Sequence, residues 1–277
     1  MSRHLGKRIV CIPDTQVRPG DPTDHFDWIG QAIADYEPDY VVHLGDHWDM
    51  PSLSSWAGGL DKEGARYMAD IEAGNAALQR LEDAMGGFKP KRKIILRGNH
   101  EQRIERAVSA NPKLKGALTY DHFNDRALGW EVVDYNGATP GIITLEGIKF
   151  AHYFANNMTG RAIGGNASYK LTQIGSPFVQ GHVQDLDIGT KQFATGRVIR
   201  GIVAGSCYLV DEGYKGNANG HWRGIVVLNE VRDGNFSVMD VTLTKLCQKY
   251  AGTSLARYLQ RRYRHAKDRF SVARVAA

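Results

Sequence analysis

The sequence predicts an α/β protein in which a mixed two-sheet β sandwich is flanked by helices. Two observations predict this fold. Short apolar runs, of the kind that form strands buried on both faces, recur along the chain. Helical patterns separate the early runs, and this alternation is typical of layered α/β sheets. The later segments 131–153 and 189–241 have the pattern of hairpin-rich β structure with one helix between them, which a mixed sandwich accommodates.

Each predicted strand ends in a polar group that can do chemistry. The first two runs, Lys7–Asp14 and Asp39–Asp46, both end in an aspartate. The remaining runs are Lys93–His100, Ile148–His152, Pro177–His182 and Arg200–Cys207. Because open α/β sheets bind their ligands beyond the carboxyl ends of the strands, we expect these end groups to converge in space.

Two helices are predicted between the early strands. The first begins after Thr23 or Asp24, either of which can cap it, and is stopped by Pro38. The second covers Glu63–Met85, with its apolar residues on one face, and is ended by Gly86-Gly87. Helices of this kind cover a buried sheet.

Size and composition exclude several classes of protein. A chain of 277 residues can bury a full core as one large domain or one domain with additions. No apolar run approaches the roughly 18–20 residues that span a bilayer, and the N-terminal segment lacks the apolar stretch of a signal peptide. We therefore expect a cytoplasmic protein without membrane insertion. Cys11, Cys207 and Cys247 are far apart and form no Cys-x-x-Cys pair, so we interpret them as core residues.

The positive charge is concentrated at the C-terminal end of the chain. The chain has a net charge of +5, but residues 251–277 contain seven basic residues against Asp268 alone, so the rest of the chain is near neutral. We predict a catalytic domain over residues 1–250 and a basic amphipathic C-terminal helix or tail over 251–277, with the helix at Ser254–Phe270. Its basic face is either solvated on a docked helix or a contact for nucleic acid. An anionic membrane surface is a third interpretation.

The groups at the strand ends form an ordered set of motifs. Asp-x-Gln begins at Asp14, Gly-Asp-x-x-Asp spans 45–49, Gly-Asn-His-Glu spans 98–101, His152 ends a strand, and Gly-His-x-Gln spans 181–184. Each motif is weak evidence alone, because an aspartate after a strand is usually a turn cap and a strand histidine is usually a core residue. In this order the set resembles the calcineurin-like metallophosphoesterases, the superfamily that includes phosphoprotein phosphatases and repair nucleases.

The resemblance implies a metallophosphoesterase-type sandwich and a metal-dependent phosphoester hydrolase with two divalent cations. In that family a metal-activated hydroxide attacks phosphorus. His100 would protonate the leaving oxygen as the general acid, and Asp49 would orient its imidazole. Glu101 would hold a ligand rather than touch metal. Asp46 would bridge both cations, Asp14 would bind the first cation, and the second would be bound by Asn99, His152 and His182.

The sequence departs from the family at two positions. Imidazoles of the first cation's site are replaced by Gln16 and Gln184. A glutamine carbonyl is a hard, neutral donor that suits Mg²⁺ or Mn²⁺ better than zinc, so we expect Mn²⁺ or Mg²⁺ at the Asp14 site. The second site is also compatible with Zn²⁺, Ni²⁺ or Fe²⁺. Alternatively, the glutamines only hydrogen-bond to ligands, and the first site is filled transiently or not at all. By strand alternation His43 should point to the opposite face, and His47, which directly follows Asp46, is expected to face elsewhere.

Three functions remain open at this point. The preferred one is a phosphodiesterase acting on nucleic acid or nucleotides, because the arginine that clamps a dianionic phosphate in phosphomonoesterases is missing after Asp49. The alternatives are a phosphomonoesterase or protein phosphatase, and a non-catalytic metal-binding scaffold. Segments 12–16, 50–55 and 220–224 are similar to a group common in tailed phages and prophages. Candidate substrate contacts are Arg103, Asn156 and Arg161, while Arg97 fits either a phosphate or an ion pair with a nearby acid.

Overall fold

The computed structural model describes residues 6–54, 64–211 and 220–263. Eleven strands lie in these ranges: β1 (Lys7–Ile12), β2 (Tyr40–His43), β3 (Arg92–Leu96), β4 (Glu131–Val133), β5 (Ile142–Leu145), β6 (Ile148–Ala151), β7 (Phe178–Gln180), β8 (Leu186–Gln192), β9 (Val198–Ala204), β10 (Gly224–Arg232) and β11 (Asn235–Thr242). Six α-helices lie there as well: α1 (His25–Tyr36), α2 (Tyr67–Ala84), α3 (Arg103–Ala110), α4 (Ala167–Ile174), α5 (Leu243–Tyr250) and α6 (Leu255–Arg262).

The strands form two mixed sheets. One sheet has the order β11-β10-β1-β2-β3-β4, and the other has the order β5-β6-β7-β9-β8. The strands β1 to β4 are parallel to their neighbours in this series, as are β6, β7 and β9. Hairpins β10–β11 and β8–β9 supply antiparallel pairs. The predicted mixed two-sheet architecture is confirmed.

Alternation along β1 shows how the layers pack. Ile9 and Cys11 are buried in a core between the two sheets, whereas Val10 and Ile12 are buried in a second core under α1, α2, α5 and α6. Successive side chains of a strand point to opposite faces, so a strand covered on both faces must be apolar throughout. A third core lies between the second sheet and α4. All three cysteines are buried and free of disulfides, which confirms that they are core residues.

The predicted side-chain cap of α1 is wrong. Asp24 precedes the helix in a helical backbone conformation and makes no capping hydrogen bond. Its carboxylate instead accepts from Arg80, from the Tyr258 hydroxyl at 3.0 Å and from the Tyr263 hydroxyl, because these distant donors surround it on all sides. The Thr23 hydroxyl also faces Arg80, at 3.2 Å.

The other helices differ from the predictions mainly at their ends. The helix α2 begins at Tyr67 after an extended Arg66, whereas the predicted start, Glu63, lies outside the described residues. In the C-terminal segment α6 ends at Arg262, and the rest of the predicted helix, from residue 264 onward, is likewise outside them. No helix in the described ranges is both long enough and apolar enough to cross a membrane.

Candidate metal and catalytic site

The motif residues meet at one edge of the two sheets. Asp14 and Asp46 follow β1 and β2, Asn99 follows β3, and His152 and His182 follow β6 and β7. They surround a cleft of about 350 Å³. His152 and Asp14 lie beneath this cleft and are fully buried. The cleft is lined by Gln16, Asp46, Asn99, His100, His182, Val183, Gln184, Asp185 and His221.

The His152 imidazole defines one half of this site. Its Nδ1 lies 2.9 Å from the carbonyl oxygen of Leu44, and since a carbonyl only accepts, Nδ1 carries the hydrogen. Its Nε2 lies 3.0 Å from Asn99 Oδ1 and 3.4 Å from Asp46 Oδ1. Three lone-pair donors that face one another need a positive charge between them. An imidazole held by a carbonyl through its other nitrogen is the usual arrangement of a metal-ligating histidine.

The electrostatics of this half agree with the geometry. Burial alone would lower the pKa of His152, but the carboxylates of Asp46 and Asp14 raise it to about 10. For His182, burial and the neighbouring His152 lower the pKa to about 4, so its imidazole is neutral at pH 7 and has a lone pair to donate. Donor atoms of Asp46, His152 and His182 lie within 4.8 Å of one another. These residues fit a divalent cation.

The Asp14 half contains oxygen acceptors. Asp14 Oδ1 accepts from the His182 backbone N–H at 3.0 Å, whereas Asp14 Oδ2 and Gln16 Oε1 are buried without a hydrogen-bond donor. Burial raises the pKa of Asp14 to about 7, with His152 opposing the shift and Asp46 adding to it. Gln184 Oε1 accepts from the Tyr208 hydroxyl at 3.1 Å. Buried acceptors without donors fit a hard cation.

The backbone of the site is held in an unfavourable conformation. Gln16, Asp46 and His182 have φ angles of 42°, 51° and 68°, in the left-handed region that costs non-glycine residues free energy. Glu101 stabilises this arrangement at the Asp46 loop. Its buried carboxylate accepts from the backbone N–H groups of Asp46 at 3.1 Å and Gly98 at 2.8 Å, and also from the next two residues of the Asp46 loop. Glu101 thus positions a ligand loop, as the sequence suggested.

Two glycines allow the ligand loops to approach each other. A Cβ at Gly98 would overlap the Asp46 carboxylate and backbone nitrogen, and a Cβ at Gly181 would overlap the Asp14 carboxylate. Both positions therefore require glycine, because an aspartate from another loop occupies the space that a Cβ would fill.

His100 lies beside the residues that could hold a metal. Its Nδ1 contacts the Asp49 carboxylate, and its Nε2 is 3.7 Å from Asp46 Oδ2. Burial alone would lower the pKa of His100, but Asp46 and Asp49 outweigh burial and raise it above the ordinary value. The result is an imidazole that is oriented by one carboxylate and whose protonated form is favoured by two, as suits a proton donor.

The sequence matches the calcineurin-like phosphoesterase family over residues 7–174, well over half of the chain. The chain belongs to the calcineurin-like phosphoesterases. That family consists of metal-dependent phosphoester hydrolases. The chain is similar to the gene 54 protein of Mycobacterium phage D29, with 36% identity over 104 residues, and to that of Mycobacterium phage L5, with 44% identity over 101 residues. Each match covers 36% of this chain and only 38% of the relative. The resemblance to phage proteins is thus supported.

His43 and His47 are not among the residues that could hold a metal, namely Asp46, His152 and His182. Thr15 Oγ1 is 3.2 Å from His43 Nε2 and 2.9 Å from His47 Nδ1. His47 Nε2 donates to the Gly74 carbonyl at 2.9 Å, and His43 Nδ1 accepts from Gly45 N–H at 3.3 Å. These roles fix one direction of donation, from His43 to Thr15 to His47 to Gly74. The two histidines therefore connect the ligand loops to α2.

The three candidate substrate contacts of the phosphoesterase lie outside the cleft lining. Arg103 donates to the Asp49 carbonyl, and its Nη1 is 3.6 Å from Asp49 Oδ1. Asn156 Oδ1 accepts from the backbone of its own loop, whose other end is the exposed Arg161. Their role toward substrate stays a prediction. Arg97 is fully buried and 2.6 Å from Asp125, which confirms the ion-pair interpretation for that residue.

His221 and Asp185 also line the cleft of the phosphoesterase. Neither residue belongs to the ordered set of motifs on which the sequence analysis relied. The available signal was the Gly-His-Trp-Arg-Gly stretch at 220–224. The position of His221 beside the candidate metal ligands depends on the pairing of distant strands, which the local sequence does not show.

Proposed function

We propose that this phosphoesterase hydrolyses phosphodiesters in nucleic acids or nucleotides and uses two divalent cations. The observation that carries the proposal is the charge of the cleft. No lysine or arginine is among the described residues that line it. The nearby arginines pair with acids instead. Arg18 Nε bonds to Asp21 at 2.8 Å and is 3.8 Å from the Asp49 carboxylate, and Arg103 Nη1 is 3.6 Å from the same carboxylate. A dianionic monoester is typically clamped by an arginine, whereas a monoanionic diester has less charge to balance.

The two proposed metal sites differ in their donor atoms, one with nitrogen and oxygen donors and the other with oxygen donors alone. Asp46, Asn99, His152 and His182 would hold one cation, and this mixture of nitrogen and oxygen donors suits Mn²⁺, Zn²⁺, Ni²⁺ or Fe²⁺. Asp14, Gln16 and the shared Asp46 would hold the other, where oxygen donors favour Mn²⁺ or Mg²⁺. Gln184 could join them, because a carbonyl oxygen that accepts from Tyr208 has a second lone pair. Bound there, the cations would supply an acidified water and neutralise phosphate charge.

The residues of the chain then have separate tasks. His100 donates the proton of its Nε2 to the leaving oxygen, since Nδ1 is occupied by Asp49. Asp49 keeps the imidazole protonated and oriented, and Arg103 in turn holds the Asp49 backbone. The proton leaves with the alcohol product, so His100 must be reprotonated before the next turnover.

A substrate panel tests this proposal. The purified protein, loaded in turn with Mn²⁺, Mg²⁺, Ni²⁺ and Zn²⁺, is assayed with a nitrophenyl monoester, a bis(nitrophenyl) diester, and single- and double-stranded DNA and RNA. His100→Asn serves as the control for contaminating activity. We expect diester turnover to exceed monoester turnover, and at least one nucleic acid to be cleaved. Faster turnover of the monoester than of any diester would contradict the proposal.

The basic C-terminal segment supports nucleic acid as the substrate. Leu255 and Leu259 of α6 are buried in the core, and Tyr258 bonds to Asp24, so the helix is docked on the domain. Arg257 and Arg261 face solvent. Removing the whole helix would expose the core, and a cleaner test is truncation after residue 263 combined with Arg257→Ala and Arg261→Ala.

We expect this variant to bind single-stranded DNA more weakly and with a shallower salt dependence. The log–log slope should fall by roughly 0.7 for each phosphate that the variant no longer neutralises. Arg232→Ala, on an exposed arginine elsewhere, is the matched control. An unchanged slope would leave the segment a structural element. The phage origin of both relatives supports the further proposal that the protein works in the cytoplasm of a host cell.

A further inference from the structure

His221 and Asp185 form a second histidine–aspartate pair in the cleft. His221 Nδ1 lies 3.4 Å from Asp185 Oδ1. As in the His100–Asp49 pair, Nδ1 of the imidazole faces a carboxylate and the histidine side chain is 14% exposed, but the contact is longer and Asp185 is more exposed than Asp49. Two imidazoles that line one cleft are thus each oriented by an aspartate. Only one of them has a task in the proposed reaction.

The backbone holds His221 on the Asp14 side of the site. The carbonyl of the next residue, Trp222, accepts from both the backbone N–H and the hydroxyl of Ser206 at 3.0 Å. The following residue, Cys207, donates its N–H to the Asp14 carbonyl at 2.7 Å. These hydrogen bonds place His221 along the same wall of the cleft as Gln184, the neighbour of Asp185 that stands where the family has a histidine.

The chemistry of this wall suits a singly charged phosphate. An imidazolium donates from both nitrogens, so Nδ1–H can face Asp185 while Nε2–H, on the opposite edge of the ring, faces a ligand. Such a group supplies one charge-assisted hydrogen bond rather than the bidentate pair of an arginine. In its protonated form His221 would offer one delocalised positive charge, which matches the single negative charge of a diester.

We propose that His221 binds a non-bridging oxygen of the substrate phosphodiester, and that Asp185 is the positioning residue that orients it. The inference rests on the proposed diester specificity and adds the residue that takes the place of the missing arginine clamp. Asp185 is 71% exposed, so its contribution is smaller than that of His221.

The test separates binding from turnover. Manganese-loaded wild type, His221→Ala, His221→Lys and Asp185→Asn are compared by the KM and kcat for bis(nitrophenyl) phosphate. Calorimetry gives the Kd for a dithymidine phosphorothioate, a diester that is hydrolysed slowly. Asp233→Asn, at an aspartate that is 84% exposed and distant in sequence, is the control for Asp185→Asn. Bound manganese is measured in every variant.

For His221→Ala we expect KM and Kd to rise about tenfold, equivalent to about 1.4 kcal/mol, with kcat and bound manganese nearly unchanged. His221→Lys should recover part of the affinity because it restores a cationic donor, which a purely structural role would not predict. Asp185→Asn should shift both constants in the same direction by a smaller factor, and Asp233→Asn should shift neither.

An unchanged Kd in His221→Ala would overturn the inference. So would a loss of manganese, which would make His221 a ligand, or a fall in kcat alone, which would make it a proton-transfer group. A wild type that binds the phosphorothioate but does not hydrolyse diesters would refute the proposed function, and the Kd comparison would still decide the role of His221. A wild type that does not bind the probe would overturn the inference as well.

Discussion

The two halves of the candidate metal site offer different donor atoms. Around His152 the candidate donors are two imidazoles, an amide and a carboxylate. His152 Nε2 lies 3.0 Å from Asn99 Oδ1 and 3.4 Å from Asp46 Oδ1, and donor atoms of Asp46, His152 and His182 lie within 4.8 Å of one another. Around Asp14 the donors are oxygens, and two of them, Asp14 Oδ2 and Gln16 Oε1, are buried without a donor. A proton can occupy the first arrangement, as the raised pKa of His152 shows. The second arrangement has no comparable basic nitrogen among its own donors.

This difference suggests a division of labour. An unpaired buried polar atom destabilises a fold by about 1–3 kcal/mol, so the Asp14 half has more to gain from a cation. Its oxygen donors nevertheless bind most divalent transition metals less strongly than imidazole does. We infer that the His152 half fixes the geometry of the metal centre, while the Asp14 half determines which metal supports activity.

Replacing the carboxylate that the two halves share should have the largest effect. The His100 backbone N–H donates to Asp46 Oδ1 at 2.9 Å in the wild type. In Asp46→Asn the side-chain oxygen can still accept this hydrogen bond, but the negative charge is lost. Because a two-metal clamp contributes several kcal/mol to catalysis, we expect kcat/KM to fall by at least roughly 10³-fold. Metal analysis should show reduced occupancy of both halves. Retention of two bound metals per chain would contradict a bridging role.

Weakening the proton donor tests whether catalysis also needs a proton-transfer group beside the two halves of the site. Since Asp49 raises the pKa of His100, Asp49→Asn should lower that pKa. His100 must be protonated to donate, so activity is lost as pH rises through its pKa, and the alkaline limb of the pH–kcat/KM profile should move to lower pH. We expect kcat to fall by roughly 10²-fold, the lower end for general-acid catalysis.

Bound metal should be unchanged in Asp49→Asn, since Asp49 is outside the metal-binding group. An alkaline limb that stays at the same pH would assign the proton transfer to another residue.

Sequence reasoning could predict the strands and the positions of the motif residues because both depend on local pattern. A run such as that of β1 is apolar on both faces, and Asp14 follows it directly, so burial and chain order place the carboxylate at the sheet edge. The same logic applies to Asp46 after β2. These features do not require knowledge of which strands pair.

The rest depends on contacts between distant segments. Local pattern predicts that Asp24 caps α1, but tyrosines from the C-terminal segment bond to it. His47 accepts from Thr15 and donates to Gly74, a set of partners separated by tens of residues. Local propensity cannot predict such hydrogen bonds, because the free energy of each polar group depends on the neighbours that the fold supplies.

The glycines at the loop crossings allow one half to be perturbed at a time. Gly98→Ala should displace the Asp46 carboxylate, and Gly181→Ala should displace that of Asp14. Perturbing the support of a ligand typically weakens metal binding by about 10–100-fold. We expect Gly98→Ala to affect both metals and Gly181→Ala mainly the Asp14 half, as measured by calorimetric titration of the apoprotein with Mn²⁺.

Gly164→Ala is the matched control, since a Cβ there meets nothing within 4 Å. Identical titrations for the two site variants would show that the halves are not separable, and the proposed division of labour between them would be wrong.

Restoring imidazoles to the Asp14 half should have a smaller effect, and it addresses the difference between the halves directly. The double substitution Gln16→His and Gln184→His adds borderline nitrogen donors beside Asp14, so Zn²⁺ affinity at this half should rise by at least about tenfold, or about 1.4 kcal/mol, while Mg²⁺ affinity should not. Gln184→His alone also removes the acceptor of the Tyr208 hydroxyl, and Tyr208→Phe controls for that change. If the double variant gains no zinc, these positions do not contact metal, and the Asp14 half differs from the His152 half in occupancy rather than in metal preference.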